Sequence, residues 1–238
     1  MELLDPQLVL GAYAVGVFPM ADGRDADHVY WVEPQRRAVL PLDGFHLSRS
    51  LRKTLEADRF RVTADAAFDA VLALCAEPVE DRPDTWINGS IAEAFGRLHR
   101  LGLAHSVECW DGERLAGGLY GLALGRAFFG ESMVSRATDA SKVALAWLVA
   151  RLRVGGFTLL DCQFQTTHLA SLGAVEIARA DYKLLLADAL SGAIGASAGS
   201  AGAPAVGDFL ALDARAVSDV VSGPVAGKDI VQLLTQTS

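Results

Sequence analysis

Asp161-Cys162-Gln163 stands at the carboxyl end of an apolar run, Phe157 to Asp161. If that run is a buried strand, alternation puts Asp161 and Gln163 on one face and Cys162 on the other. An acid and an amide then converge, a pair suited to holding a reacting group or handling its proton. The same pattern also suits an Asp that caps the following turn while Gln163 faces water. Glu131 ends a second apolar run, Ala127-Phe128-Phe129, either as a second site carboxylate or as a solvated strand end. Arg49, Arg52, Lys53, Arg59 and Arg61 place five positive charges within thirteen residues, against Glu56 and Asp58. On a helix Arg49, Arg52 and Lys53 share a face, fit for phosphates or for water alone. Trp31, Trp86 and Phe129 offer rings for stacking on a base or walls for a pocket, and equally suit a core.

Other chemistry is poorly supported. Gly223-Pro224-Val225-Ala226-Gly227-Lys228 is one residue too short for a phosphate loop, with Asp229 where a hydroxyl belongs. Gly130-Glu131-Ser132-Met133-Val134 lacks the second glycine of a nucleophile elbow, so Ser132 is not expected to attack. The five histidines are scattered without an HExxH pattern, and no metal site is expected. Cys75, Cys109 and Cys162 show no CxxC spacing, which fits a reduced compartment.

The elements that must position these residues follow from periodicity. A helix is expected from Pro6 to about Gly16, short strands at Val29–Val32 and Ala38–Leu40, and a helix Arg49–Ala57 with Ser48 as its N-cap. A strand Arg59–Thr63 and helices Asp65–Ala76 and Asn88–Leu101 come next. His105–Trp110, Arg114–Tyr120 and Arg126–Val134 predict an antiparallel meander. A long helix Ala137–Val154, the strand Phe157–Asp161, a helix near His168–Leu172, a strand Ala174–Ile177 and a helix Asp181–Leu190 complete an α+β layer architecture. The expected division is a small amino-terminal unit, 1–58, and a larger domain, 59–190. An Ala/Gly/Ser linker, 191–207, and an appendage, 208–238, of unread role follow.

The 238 residues are 51% apolar and 21% charged, which excludes a disordered chain. A net charge of −8 argues against coating nucleic acid with the whole surface, leaving only the local basic patch for that purpose. Glu2 and Asp5 occupy the place of a signal peptide's basic region, and no apolar stretch reaches the roughly 18 residues of a membrane span, so a cytoplasmic protein is expected.

As a set, these segments resemble the leucyl/phenylalanyl-tRNA-protein transferases. The resemblance is carried by Gly16-Val17-Phe18-Pro19-Met20, Tyr30-Trp31-Val32-Glu33-Pro34, Phe45-His46-Leu47-Ser48-Arg49-Ser50, Asp84-Thr85-Trp86-Ile87 and Ala104-His105-Ser106-Val107-Glu108. It continues through Gly117-Gly118-Leu119-Tyr120-Gly121, Phe129-Gly130-Glu131-Ser132-Met133, Asp139-Ala140-Ser141-Lys142, Asp161-Cys162-Gln163 and His168-Leu169-Ala170-Ser171-Leu172-Gly173. It implies a small amino-terminal domain joined to an acetyltransferase-like (GNAT) domain with a mixed, largely antiparallel sheet. It also implies transfer of Leu, less specifically Phe or Met, from aminoacyl-tRNA to proteins with amino-terminal Arg or Lys, marking them for N-end-rule degradation. No cofactor is implied. Asp161 and Gln163 would lie at the reaction centre, with Glu131 meeting the acceptor's basic side chain. Leu119, Met133, Leu148 and Leu160 would line the aminoacyl pocket, with the terminal adenosine near Trp86 and Trp31. The patch from Arg49 to Arg61 would hold the acceptor stem. The rival of the same fold is an acetyl-CoA-dependent N-acetyltransferase, whose Arg/Gln-x-x-Gly-x-Gly/Ala turn is missing between Val134 and Lys142. A non-enzymatic rival is an adaptor that binds basic amino termini.

Overall fold

The computed structural model describes residues 3–78, 84–194, 206–218 and 225–236. The amino-terminal elements are α1 (Pro6–Ala14), β1 (Phe18–Met20), β2 (Tyr30–Val32), β3 (Arg36–Val39) and α2 (Arg49–Glu56). The middle of the chain forms β4 (Arg61–Ala64), α3 (Phe68–Cys75), α4 (Gly89–Arg100), β5 (Ala104–Asp111), β6 (Arg114–Leu124) and β7 (Ala127–Ser135). After them come α5 (Ala140–Val154), β8 (Leu159–Gln163), α6 (Thr167–Ser171), β9 (Val175–Ala178), α7 (Arg179–Ile194), α8 (Ala211–Ser218) and α9 (Gly227–Thr235).

Local chemistry explains the helix starts. Ser48 accepts from the Leu51 N–H, as expected, and Asn88 does the same for Ile91. Asp5 caps α1 ahead of Pro6, whose missing N–H costs nothing in the first turn. Helix α5 begins at Ala140 rather than at Ala137, because Asp139 takes a left-handed φ of 70°. Helix α7 runs to Ile194, so the linker expected from Ser191 starts inside a helix. Most of the remaining linker, 195–205, lies outside the described residues.

Seven strands form one sheet in the order β4-β5-β6-β7-β8-β3-β9, and β1 pairs with β2 separately. The meander β5-β6-β7 is antiparallel as expected, and β7–β8 is parallel within an otherwise antiparallel sheet. β3 comes from the amino-terminal segment yet sits between β8 and β9.

Alternate residues of the central strands feed two cores. Val107, Leu119, Phe128 and Leu160 join one core with α2 and α5, while Tyr120, Leu122, Phe129 and Leu159 join the other with α1, α3, α4 and α7. The appendage adds to the first core. Phe209 stacks on His105 and Phe128, Asp213 pairs with Arg151 at 2.6 Å, and Ile230 and Val231 of α9 are buried beside α2.

Candidate active site

The site forms where two parallel neighbours part. β7 and β8 pair at Ala127↔Leu159, Phe128↔Leu160 and Phe129↔Asp161, and there the pairing stops although both strands run on. Each strand also carries an irregularity at that point. Tyr120 pairs with Ser132 and Gly121 with Gly130, leaving Glu131 as the extra residue of a bulge. Ala38 pairs with Gln163 and Val39 with Asp161, which leaves Cys162 extra. Bulges re-aim side chains, and Gln163 is re-aimed further by a φ of 62°.

A cavity of about 340 Å³ opens at this parting. Leu119, Met133, Leu148 and Leu160 line it, as expected, together with Leu145. Trp86 lines it too, whereas Trp31 does not; it lies on β2 opposite Pro19 and is 39% exposed. The expected place of Trp31 in the pocket is therefore corrected. Phe129 is buried in the core against Tyr13 rather than free to stack on a base.

Glu131 and Gln163 meet in the cavity wall, the Gln163 Nε2 donating to Glu131 Oε1 at 2.9 Å. Glu131 Oε2 is buried and has no hydrogen-bond partner, and neither has the nearby Tyr120 hydroxyl, also a wall of the cavity. Burial pushes the Glu131 carboxyl up to about 8; the nearby Tyr13 hydroxyl and the Gln163 amide pull it down, and the Asp161 charge raises it. A carboxyl so placed is poised to ionise when a cation arrives.

Asp161 departs from expectation. It is fully buried and does not line the cavity. The Arg37 guanidinium grips it, Nε to Oδ1 at 2.9 Å and Nη2 to Oδ2 at 2.6 Å, and the Tyr182 hydroxyl donates at 2.8 Å. The Gln163 backbone N–H donates to Oδ1 at 2.8 Å. Strand alternation accounts for the difference: Leu160 and Cys162 face the cavity, Asp161 faces away, and the left-handed turn at Gln163 swings that side chain back beside Cys162. Asp161 therefore positions Gln163 through its backbone and makes no contact with the cavity.

Arg37 is the residue that sequence reasoning missed. It is sandwiched between the Phe18 and Tyr182 rings at 4.6 and 4.5 Å and donates to the Gly16 carbonyl at 2.9 Å. Gly16, at φ 86°, closes α1 against Tyr182, where an added Cβ would stand 3.0 Å from the ring. The signal for Arg37 was present only as an arginine next to an apolar strand, Ala38-Val39-Leu40. Met20, Cys162, Phe164 and His168 also line the cavity unannounced.

The basic residues lie on a separate surface. Arg49 and Lys53 are exposed on α2, Arg52 sits 3.8 Å from Glu56, and Arg59 and Arg61 are exposed near Phe60 and Trp110. Backbone contact links the approach to α2 with the end of α6, whose His168 and Leu169 line the cavity, His46 N–H donating to the Leu172 carbonyl at 2.9 Å. Among the described residues no cluster of metal-ligating side chains occurs and no helix is long and apolar enough to cross a membrane.

The chain matches the family model of leucyl/phenylalanyl-tRNA protein transferase over residues 39–187 and the model of that family's N-terminal domain over residues 2–35. Relatives bearing the name leucyl/phenylalanyl-tRNA--protein transferase include one from Rhizorhabdus wittichii, 60% identical over 100% of both chains. One from Zymomonas mobilis is 65% identical over 80% of this chain and 71% of its own. One from Novosphingobium aromaticivorans is 51% identical over 99% of this chain and 97% of its own. Among solved structures, the C-terminal domain of a lysylphosphatidylglycerol synthetase from Agrobacterium fabrum aligns with a TM-score of 0.38 and 10% identity over 71% of this chain and 55% of that one, too slight a likeness to bear on the fold. With both family models matched along most of its length, the chain belongs to the leucyl/phenylalanyl-tRNA protein transferase family of enzymes.

Proposed function

We propose that the enzyme moves an aminoacyl group, Leu foremost and Phe or Met less specifically, from aminoacyl-tRNA to the α-amine of proteins that begin with Arg or Lys. In the cytoplasm this would mark them for N-end-rule degradation. The observation that carries the reading is Glu131: a buried carboxylate with one unpartnered oxygen in the wall of an apolar cavity. An ester is already activated, so the reaction needs no cofactor, only a neutral amine brought to the carbonyl and stabilisation of the oxyanion. Gln163, fixed by Glu131 and by the Asp161–Gln163 backbone hydrogen bond, has its amide oxygen left to accept from the attacking amine. Glu131 answers the guanidinium or ammonium of the acceptor's side chain. Leu119, Met133, Leu148 and Leu160 take the aminoacyl side chain, Trp86 takes the adenosine, and Arg49, Arg52, Lys53, Arg59 and Arg61 take the acceptor stem.

The parallel β7–β8 pair inside an antiparallel sheet, with α5 between them in sequence, supports an acetyltransferase-like domain behind a smaller amino-terminal unit. Acetyl-CoA chemistry is the weaker reading, because Asp139 puts a carboxylate at the α5 N-terminus where that cofactor's pyrophosphate would need bare N–H groups. The test is transfer of radiolabelled Leu from leucyl-tRNA to peptides differing only in their first residue. Transfer to Arg- and Lys-ended peptides far above Ala- and Asp-ended ones is expected; equal transfer to all would overturn the acceptor assignment.

A further inference from the structure

Aminoacyl transfer from an ester to an amine moves one proton: the nitrogen must lose it and the departing ribose oxygen must gain it. On the reading above, Glu131 is occupied by the acceptor's cation. Asp161 faces away from the cavity and is committed to Arg37, Tyr182 and the Gln163 N–H. The Gln163 amide is too weak a base. Of the other titratable side chains lining the cavity, Tyr120 and Cys162 are held as neutral acids, since burial raises both.

His168 remains. Its ring lines the cavity, and its Nε2 is buried with no hydrogen-bond partner. It sits in the first turn of α6, fixed by the Thr166 cap to the Leu169 N–H at 3.1 Å and by the Ser171 hydroxyl on its own carbonyl at 2.7 Å. We propose that His168 is a catalytic residue of the transfer, its Nε2 taking the proton from the attacking amine and passing it to the ribose oxygen. The C–N bond forms, the C–O bond breaks, and the proton ends on the oxygen that leaves with the tRNA. The inference rests on the transferase reading.

The surroundings keep the imidazole in the form this role needs. Burial lowers its pKa and the Lys142 ammonium of α5 lowers it further, so it is neutral near pH 7. Lys142 is held by Asp139 at 2.9 Å, and Tyr120 on β6, Glu131 on β7 and Cys162 on β8 are the other titratable groups lining the cavity.

The test compares His168→Asn and His168→Ala with the wild type in single-turnover transfer from leucyl-tRNA to an Arg-ended peptide. Both variants should lose at least about 100-fold in rate. Leucyl-tRNA binding should stay within about threefold, and added imidazole should restore part of the His168→Ala rate in proportion to its neutral fraction. A rate within about threefold of wild type, a parallel loss of leucyl-tRNA binding, or no rescue by imidazole would each overturn the proposal. A wild type that transfers to no peptide would instead count against the transferase reading itself.

Discussion

Asp161 and Glu131 flank the same strand junction and are both buried, yet the protein treats them in opposite ways. Asp161 receives a guanidinium, a phenol and a backbone N–H, which together replace its hydration. Glu131 receives one amide and lies beside the Tyr13 hydroxyl, but its second oxygen makes no hydrogen bond. A buried charge whose partners are complete is part of the frame; one whose partners are incomplete holds its capacity for something that arrives. The contrast separates a residue that shapes the site from one that meets the substrate.

The contrast breaks most sharply on Arg37. Arg37→Ala leaves Asp161 buried without its cation and should cost about 3–5 kcal/mol in urea unfolding. A loss below about 1 kcal/mol would show that Asp161 is not the anchor described here. Glu131→Gln should behave differently: the fold persists, while kcat/KM for Arg-ended peptides drops about 10- to 100-fold through a lost charge-assisted hydrogen bond.

The pH dependence sharpens the same point. The folded protein raises the Glu131 pKa to about 8, so the unfolded chain ionises this carboxyl first and binds fewer protons. Stability from keeping it protonated is present at low pH and is lost as pH rises through about 8. The thermal stability of Glu131→Gln relative to wild type should therefore grow between pH 5 and pH 8 and level off above; melts at pH 5, 7 and 9 check this. For the same reason an Arg-ended peptide should release about one proton on binding at pH 7, readable by calorimetry in two buffers. The smallest effect on stability belongs to the exposed basic residues proposed to hold the acceptor stem. Replacing Arg49, Arg52 and Lys53 together by Ala should leave stability within about 0.5 kcal/mol and flatten the salt dependence of tRNA binding by up to about three log units per log unit.

Much of the frame was legible because it is local. The meander announces itself through Asp111-Gly112 and Gly125 between apolar runs, and the Ser48 and Asn88 caps sit at the first residues of amphipathic patterns. Glu131, Gln163 and the apolar lining were legible as residues at strand ends. Their geometry was not, because a bulge and a left-handed residue each reverse the face that alternation assigns. The Arg37–Asp161 pair was hidden by distance along the chain, since nothing in the local pattern around either residue names the other. The docking of α8 and α9 was equally obscure, resting on scattered contacts such as Phe209 on Phe128.

The insertion of β3 between β8 and β9 sets an order for assembly. Arg37 emerges from the ribosome 124 residues ahead of Asp161, and its strand gains its first sheet neighbour only with β8 and its second only with β9. The cavity can therefore close only once β8 and the α6 residues that line it have been made. A nascent chain that stopped before β8 would leave β3 without a sheet partner and would hold no competent site.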